Sequence, residues 1–485
     1  MSDAADPIAQ RALAINIDRQ IYGTFAEIGA GQEVARWFFS VGGAAGTVAK
    51  SMSAYDMKVS DAIYGKAPRY VSRERVEEML EHEFSLLRER LDESRGSSTR
   101  FFAFADTAAA KAHSGGSDWH AWMGLRFQDK PGSAPNDVIV HVRMLDPSNA
   151  RQQDALGRLG VNLLHACVHH CCNPHQLLES LLDDVGRERL EIDWVVMRGP
   201  VFAGVDNRLL ALHLVRIGFT HAVLFGTDGQ PLLASEAIRR RRVLLERGRF
   251  CPVTRLNLEM LAAASVLFAG DAKGAPAEAD QPVVEVMEIM EIMEITMNNL
   301  RDTGKVDDAD FLARVDLLSA IRKLVLVSDL GPFHRLADYL AKRNVERTGI
   351  VLGVPLLREL FNESHYRDLG GGILEAFGRL FTHAVRLYVY PTRDPIDGRK
   401  ITADTLKVAP HLSHLLQHLL ANGLVQSIPC EDGDLRTYSS EEVRSRICSG
   451  DPSWKDLVDP AVAKIIEATG YFGARCDVPA PGRRG

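Results

Sequence analysis

The chain has 485 residues, 46% hydrophobic and 25% charged, with a net charge of −7, the balance of a globular protein of two or more domains. Without clustered Lys/Arg it offers no electrostatic footprint for nucleic acid or an anionic membrane. It has no run of eighteen apolar residues and no basic segment leading into an apolar one at its start, so neither a membrane span nor a signal peptide is expected. Seven cysteines, an odd number in a long chain, fit reduced thiols in a cytoplasm better than a disulfide framework.

In chain order, residues 1–98 read as a mostly helical segment. "SRERVEEMLEHEFSLLRERLDESRG" opens with Ser72 as N-cap, carries Val76, Met79, Leu80, Phe84 and Leu87 at helical spacing, and closes at Gly96. "INIDRQIYG" makes a poor buried strand. Residues 101–107, 119–128 and 137–146 read as strands, the last two joined by a Pro/Gly/Ser-rich turn. A helix over 150–172, a strand at 192–200, a helix at 206–217 and a strand at 221–229 follow. This alternation predicts βαβ crossovers and a largely parallel sheet. The basic run Arg239 to Arg242, with Arg247 and Arg249 beside Glu236 and Glu246, reads as a solvated helix face.

"AGDAKGAPAEADQP" (269–282) has the composition of a flexible linker. In "VEVMEIMEIMEITMNNL" a Met-Glu-Ile period of three spirals Glu285, Glu288, Glu291 and Glu294 around a helix, which predicts a buried or interface helix, with a short strand or partner-binding segment as the alternative. Beyond it, strands at 324–329, 348–355 and 384–391 alternate with helices at 370–381 and 411–423. The predicted fold is α/β: two doubly wound, largely parallel units (99–268 and 283–485) behind the helical segment.

Several stretches could carry chemistry. "HACVHHCCNPH" (165–175) puts His165, His169 and Cys172 on one helical stripe, a weak Zn²⁺ candidate lacking a fourth ligand. The plainer reading is a helix end whose histidines meet its negative pole, so no metal is expected. In "TFAEIGAGQEVARWFF", Gly29 and Gly31 half-match a dinucleotide or S-adenosylmethionine turn, but Val34 stands where the third glycine belongs. "VGGAAGTVAKS" fails the P-loop pattern, since Lys50 lies four residues past Gly46; Thr47, Lys50 and Ser51 remain anion candidates.

In open α/β sheets, ligands bind beyond the carboxyl ends of strands. Such ends are expected to carry Arg198, Asp206, Asn207 and Arg208 in one place, and Thr227 and Asp228 in another. Further along come Asp329 and Gly331, with His334 and Arg335 on the next helix, then Gly370, Gly371 and Gly372 before Glu375 and Arg379. Asp206, Asp329 and Glu375 are the candidate catalytic acids; the glycines, Arg and Asn are the candidate anion binders.

At "GTFAEIGAGQEVARWFFSVGGAAGTVAKSMSAYDM", "GPVFAGVDNRLLALHLV" and "GGGILEAFGRLF" the chain resembles a bacterial family whose members carry two labels, TonB-dependent receptor and nicotinate-nucleotide adenylyltransferase. The resemblance spans most of the chain and implies no particular catalytic residue. A receptor of that kind needs about 22 amphipathic barrel strands, which are missing here. A His-x-Gly-His phosphate motif is missing too, since "HACVHH" lacks its glycine.

Two classes of function fit these residues. One is a cytoplasmic enzyme for a small phosphorylated or nucleotide-like anionic ligand, with homo-oligomerisation open and no cofactor assigned. The other is a non-catalytic scaffold or regulator with a partner-binding helix; a methyltransferase-like protein is a weaker third.

Overall fold

The computed structural model describes residues 6–29, 31–109, 119–271, 288–301, 305–433 and 435–473. The chain divides into two compact α/β units, Met1–Thr220 and His221–Gly485. The boundary therefore precedes the strand at 222–225 and differs from the one expected at 269–282, a segment whose residues from 272 on lie outside the described residues. No helix among the described residues is long and apolar enough to cross a membrane.

The first unit is built on six strands: β1 (Ile21–Gly29), β2 (Val48–Ala54), β3 (Arg100–Ala109), β4 (His120–Phe127), β5 (Asn136–Met144) and β6 (Leu190–Arg198). Their order is β2-β1-β3-β4-β5-β6. β1 pairs in parallel with β2 and β3, whereas β3 to β6 are antiparallel. The mix follows from the connections. Helical crossovers return the chain parallel, while the short turn between β4 and β5 permits only a reversal.

The expectation of a helical first segment thus fails over β1 and β2. "IYGTFAEIG" is buried because strands flank it on both edges and helices cover its faces. One face packs Phe25 and Phe104 with Ile8, Phe38 and Leu159 from the helices Pro7–Ile17, Val34–Ser40 and Asn149–His170. The other takes the helix Arg73–Arg95, capped by Ser72, whose hydroxyl accepts the Arg75 amide. Gly124 lets that helix come close: a Cβ there would lie 2.8 Å from Leu80 and 3.1 Å from Val76.

The second unit holds β7 (Ala222–Phe225), β8 (Pro231–Leu232), β9 (Arg242–Arg247), β10 (Ile289–Thr296), β11 (Leu324–Ser328), β12 (Arg347–Gly353), β13 (Val385–Tyr390) and β16 (Val425–Ser427); β14 (Thr392–Arg393) and β15 (Lys400–Ile401) make a separate ladder. From β9 the parallel sheet steps out through β10 and β11 on one side and β12, β13 and β16 on the other. This is the doubly wound order. β7 and β8 add an antiparallel edge.

Two expectations are corrected here. The Met-Glu-Ile segment is a central strand over 289–296, the alternative to the buried or interface helix expected from its period; Glu285 lies outside the described residues. A period of three suits neither strand nor helix, so flanking strands decide. Glu294, fully buried, meets Arg247 of the neighbouring strand at 2.7 and 2.9 Å and accepts the Ser328 hydroxyl at 2.7 Å. The basic run is solvated only in part and is not helical: Arg239 to Arg241 are exposed in a turn, whereas Arg242 and Arg247 lie in β9, largely buried.

Candidate functional site at the carboxyl end of the first sheet

In β1 and β3, Glu27 and Asp106 stand opposite each other, 2% and 0% exposed. Glu27 accepts the Val34 and Ala35 amides at 2.8 and 3.1 Å. Neither Asp106 oxygen has a well-formed hydrogen bond among the described residues, although the Ile28 amide faces it and counters its rise in pKa. Burial pushes Glu27 up to about 7, against the pull of its two amide donors. Burial, and then the charge of Glu27, push Asp106 well above the carboxylate range. With two well-formed amide donors on Glu27, the charged form is favoured there over Asp106.

These residues explain "AEIGAG" without a cofactor. The helix amides that would receive a phosphate are already taken by Glu27. Gly31 leaves room for Asp106, whose Oδ1 a Cβ would approach to 2.4 Å; Gly29 adopts φ +78°. Both glycines thus have a packing or backbone reason in the fold itself.

The opposite face at the same end carries a polar row. Thr107, Trp122 and His141 are successive cross-strand partners on β3, β4 and β5. A bulge opposite His141 leaves Asp193 as the extra residue of β6, and such bulges re-aim side chains. Asp193 Oδ1 lies 2.5 Å from His141 Nδ1, and His141 Nε2 lies 3.0 Å from His120 Nδ1. His141 and Asp193 are 1% and 5% exposed, whereas His120 is half-buried. Trp122 and Trp194 pack edge to face on the row at 5.2 Å, and Trp122 lies 4.8 Å from the His141 ring. Arg73 sits over Trp194. Thr107 Oγ1 and Trp122 Nε1, both buried, lack a partner among the described residues.

The chain Asp193–His141–His120 has the form of a proton relay. The buried carboxylate fixes the tautomer of the first imidazole, which addresses a second imidazole nearer solvent. None of these five residues was singled out from the sequence. The available signal was a histidine in each of two neighbouring strand segments, His120 in "WHAWM" and His141 in "VIVHV".

The residues singled out from the sequence lie elsewhere. β6 runs antiparallel to β1 and β3, so its carboxyl end, with Arg198 and Asp206 to Arg208, lies at the opposite end of the sheet. There Asp206 caps the helix Asn207–Arg216 and binds its own Arg208, Asn207 bonds the Met197 backbone, and Arg198 pairs with Glu77. Lys50 pairs with Glu83, and Thr47 is buried against Ile15.

In the second unit β7 is antiparallel to β11, which puts Thr227 and Asp228 at the sheet's amino end. Asp228 accepts the Gln230 amide in a tight turn. Asp329 does end a parallel strand and pairs with His221 at 3.0 Å; the Gly331 carbonyl accepts Arg247. Glu375 accepts the Gly371 amide and pairs with Arg379, and Gly372 serves its turn with φ +56°. His334, held low in pKa mainly by burial, feels the charges of Arg379 and Glu375. No contact joins Asp329 to this group among the described residues. The His165 and His169 rings lie 4.4 Å apart, tilted by 49°, and His165 is pushed down to about 4 by burial and then by His169. Among the described residues no group of three or more His, Cys, Asp or Glu is placed to hold a metal ion, which leaves Cys172 an exposed free thiol.

No family profile and no curated protein matches the chain. Among solved structures, the competence/damage inducible protein CihA of Agrobacterium tumefaciens is 17% identical, with 34% of this chain and 98% of that one covered at a TM-score of 0.25. A CinA superfamily protein of Klebsiella pneumoniae is 16% identical, covering 34% and 96% at 0.26. One of Escherichia coli is 15% identical, covering 33% and 87% at 0.23. Overlaps at such scores carry no weight in assigning chemistry, and they bear on neither label of the resembling family.

Proposed function

We propose that the protein is an enzyme acting on a small anionic substrate, phosphorylated or nucleotide-like, at the carboxyl end of its first sheet. In this reading His120 exchanges a proton with the substrate, and His141 and Asp193 position and recharge it. The observation that carries the reading is the Asp193–His141–His120 chain, buried at its carboxylate end and set by a bulge beside two polar side chains that lack a partner among the described residues. Arg73 over Trp194 supplies a cation at the same end, in keeping with an anionic substrate.

The test starts with a thermal-shift panel on the purified chain: ATP, NAD, nicotinate mononucleotide and sugar phosphates. A ligand at about 100 times its Kd adds about 2.7 kcal/mol. Turnover of the stabilising compound is then compared in His120→Ala, His141→Ala and Asp193→Asn. The reading expects a loss of about 10²–10⁴-fold in turnover with the ligand-induced shift retained. Wild-type rates in all three variants overturn it.

A further inference from the structure

A cavity of about 230 Å³ opens in the first unit between the amino half of β1, the edge strand β2 and the helix Arg73–Arg95. It lies away from the His120 row, which sits at the carboxyl end. Its base is polar and nearly dry: Thr24 is 2% exposed, and the Glu83 side chain 1%. Glu83 is fully committed, pairing with Lys50 at 2.5 Å and accepting the Tyr64 hydroxyl at 2.8 Å and the Thr24 hydroxyl at 3.4 Å. Leu87 and Leu91 form an apolar wall, and Tyr22 closes one side with the Arg95 guanidinium stacked on its ring at 4.1 Å.

The charges decide what this space accepts. Lys50 and Glu83 cancel each other. Arg90, exposed at the rim, has no carboxylate partner among the described residues, and neither has Arg95 over Tyr22, so the surroundings are positive, with Arg90 the cation on the lining itself. A guanidinium fork matches a carboxylate with two parallel hydrogen bonds. The leucines and Tyr22 suit a compact apolar body. The volume equals that of roughly eight waters in the liquid, enough for one ring or a short chain.

We propose that this cavity is a second ligand site, specific for a small monocarboxylate with an apolar body. The carboxylate meets Arg90 and the body lies against Leu87, Leu91 and Tyr22. Neutral isosteres forfeit the charge-assisted bonds.

The experiment is ligand-observed fluorine NMR on the full chain with 4-fluorobenzoate, with 4-fluorobenzyl alcohol as its neutral counterpart. The expected result is saturable broadening of the benzoate and binding of the alcohol weaker by about tenfold. Arg90→Ala weakens the benzoate by about tenfold and Arg90→Lys recovers part of that. Leu86→Glu, on the same lining, also suppresses it. Arg90 is exposed, so its variants keep the fold, which an unchanged melting midpoint verifies. The proposal is overturned by equal binding of alcohol and benzoate, by benzoate affinity unchanged in Arg90→Ala, or by no broadening up to roughly 10 mM.

Discussion

The two units handle buried polarity differently. In the second, the buried charges at the carboxyl ends of β9 to β11 largely satisfy one another: Arg247 bridges Glu294 and the Leu330 and Gly331 carbonyls, and Arg314 ties the Arg249 and Asn299 carbonyls together, although Arg314 Nε and one Glu246 oxygen lack a partner among the described residues. In the first, Asp106, Thr107 and Trp122 keep buried polar atoms without a well-formed hydrogen bond among the described residues, beside a histidine chain that reaches toward solvent. A self-satisfied network cross-links strands; an incompletely satisfied one is where chemistry and ligands are sought. That contrast, more than the regularity of either sheet, places the candidate site in the first unit, although the second has the more familiar ligand-binding topology.

The comparison breaks most sharply at Glu294. Glu294→Ala strands the nearly buried Arg247, and the expected cost is about 3–5 kcal/mol. Native-state hydrogen exchange reads it as faster exchange across the second sheet, with the first sheet's protection unchanged. Uniform loss in both would mean that the units do not hold their networks separately.

Glu246 tests the second unit's one buried acid with an oxygen left over: Asn257 donates to one oxygen at 2.7 Å and the other has no partner among the described residues. Burial pushes its pKa up to about 8. The fold therefore prefers the neutral form. The stability this confers is fully present below about 4.5 and is lost as pH rises toward 8. Glu246→Gln removes that loss, so the variant's advantage in denaturant midpoint grows from nothing near pH 4.5 to a few kcal/mol at pH 8 and above. A pH-independent difference contradicts it.

In the first unit, Gly31→Ala drives a methyl onto Asp106 and is expected to cost about 1–3 kcal/mol. Asp106→Ala in the same chain recovers much of this, a coupling that chemical denaturation of the four-member cycle measures. The smallest effect is Asp206→Ala, which removes an N-cap for about 1 kcal/mol. It leaves turnover untouched, because Asp206 lies at the far end of the sheet from His120.

Much of the architecture was legible. The strands 101–107, 137–146, 324–329 and 384–391, and the helix opened by Ser72, announce themselves through apolar runs, period and caps. β1 and β10 did not. "IYGTFAEIG" contains a Gly, a Thr and a Glu, and "IMEIMEIT" a misleading period; both are strands because neighbours on each side complete their ladders. For the site, the rule that ligands sit beyond carboxyl ends was sound. Applied to β6 and β7 it pointed to the wrong edge, since strand direction is not written in a strand's own residues.

Composition, periodicity and turn chemistry thus determined by themselves that this is an α/β protein of more than one unit, with free thiols and no apolar spanning helix, because those properties depend on local preference and total burial. Tertiary structure alone decided that Glu27 meets Asp106, that Asp193 reaches His141 and His120, and that Arg198 and Asp206 do not join them. These groups lie tens of residues apart, and their meeting depends on strand order, direction and one bulge, which emerge only when the whole sheet assembles.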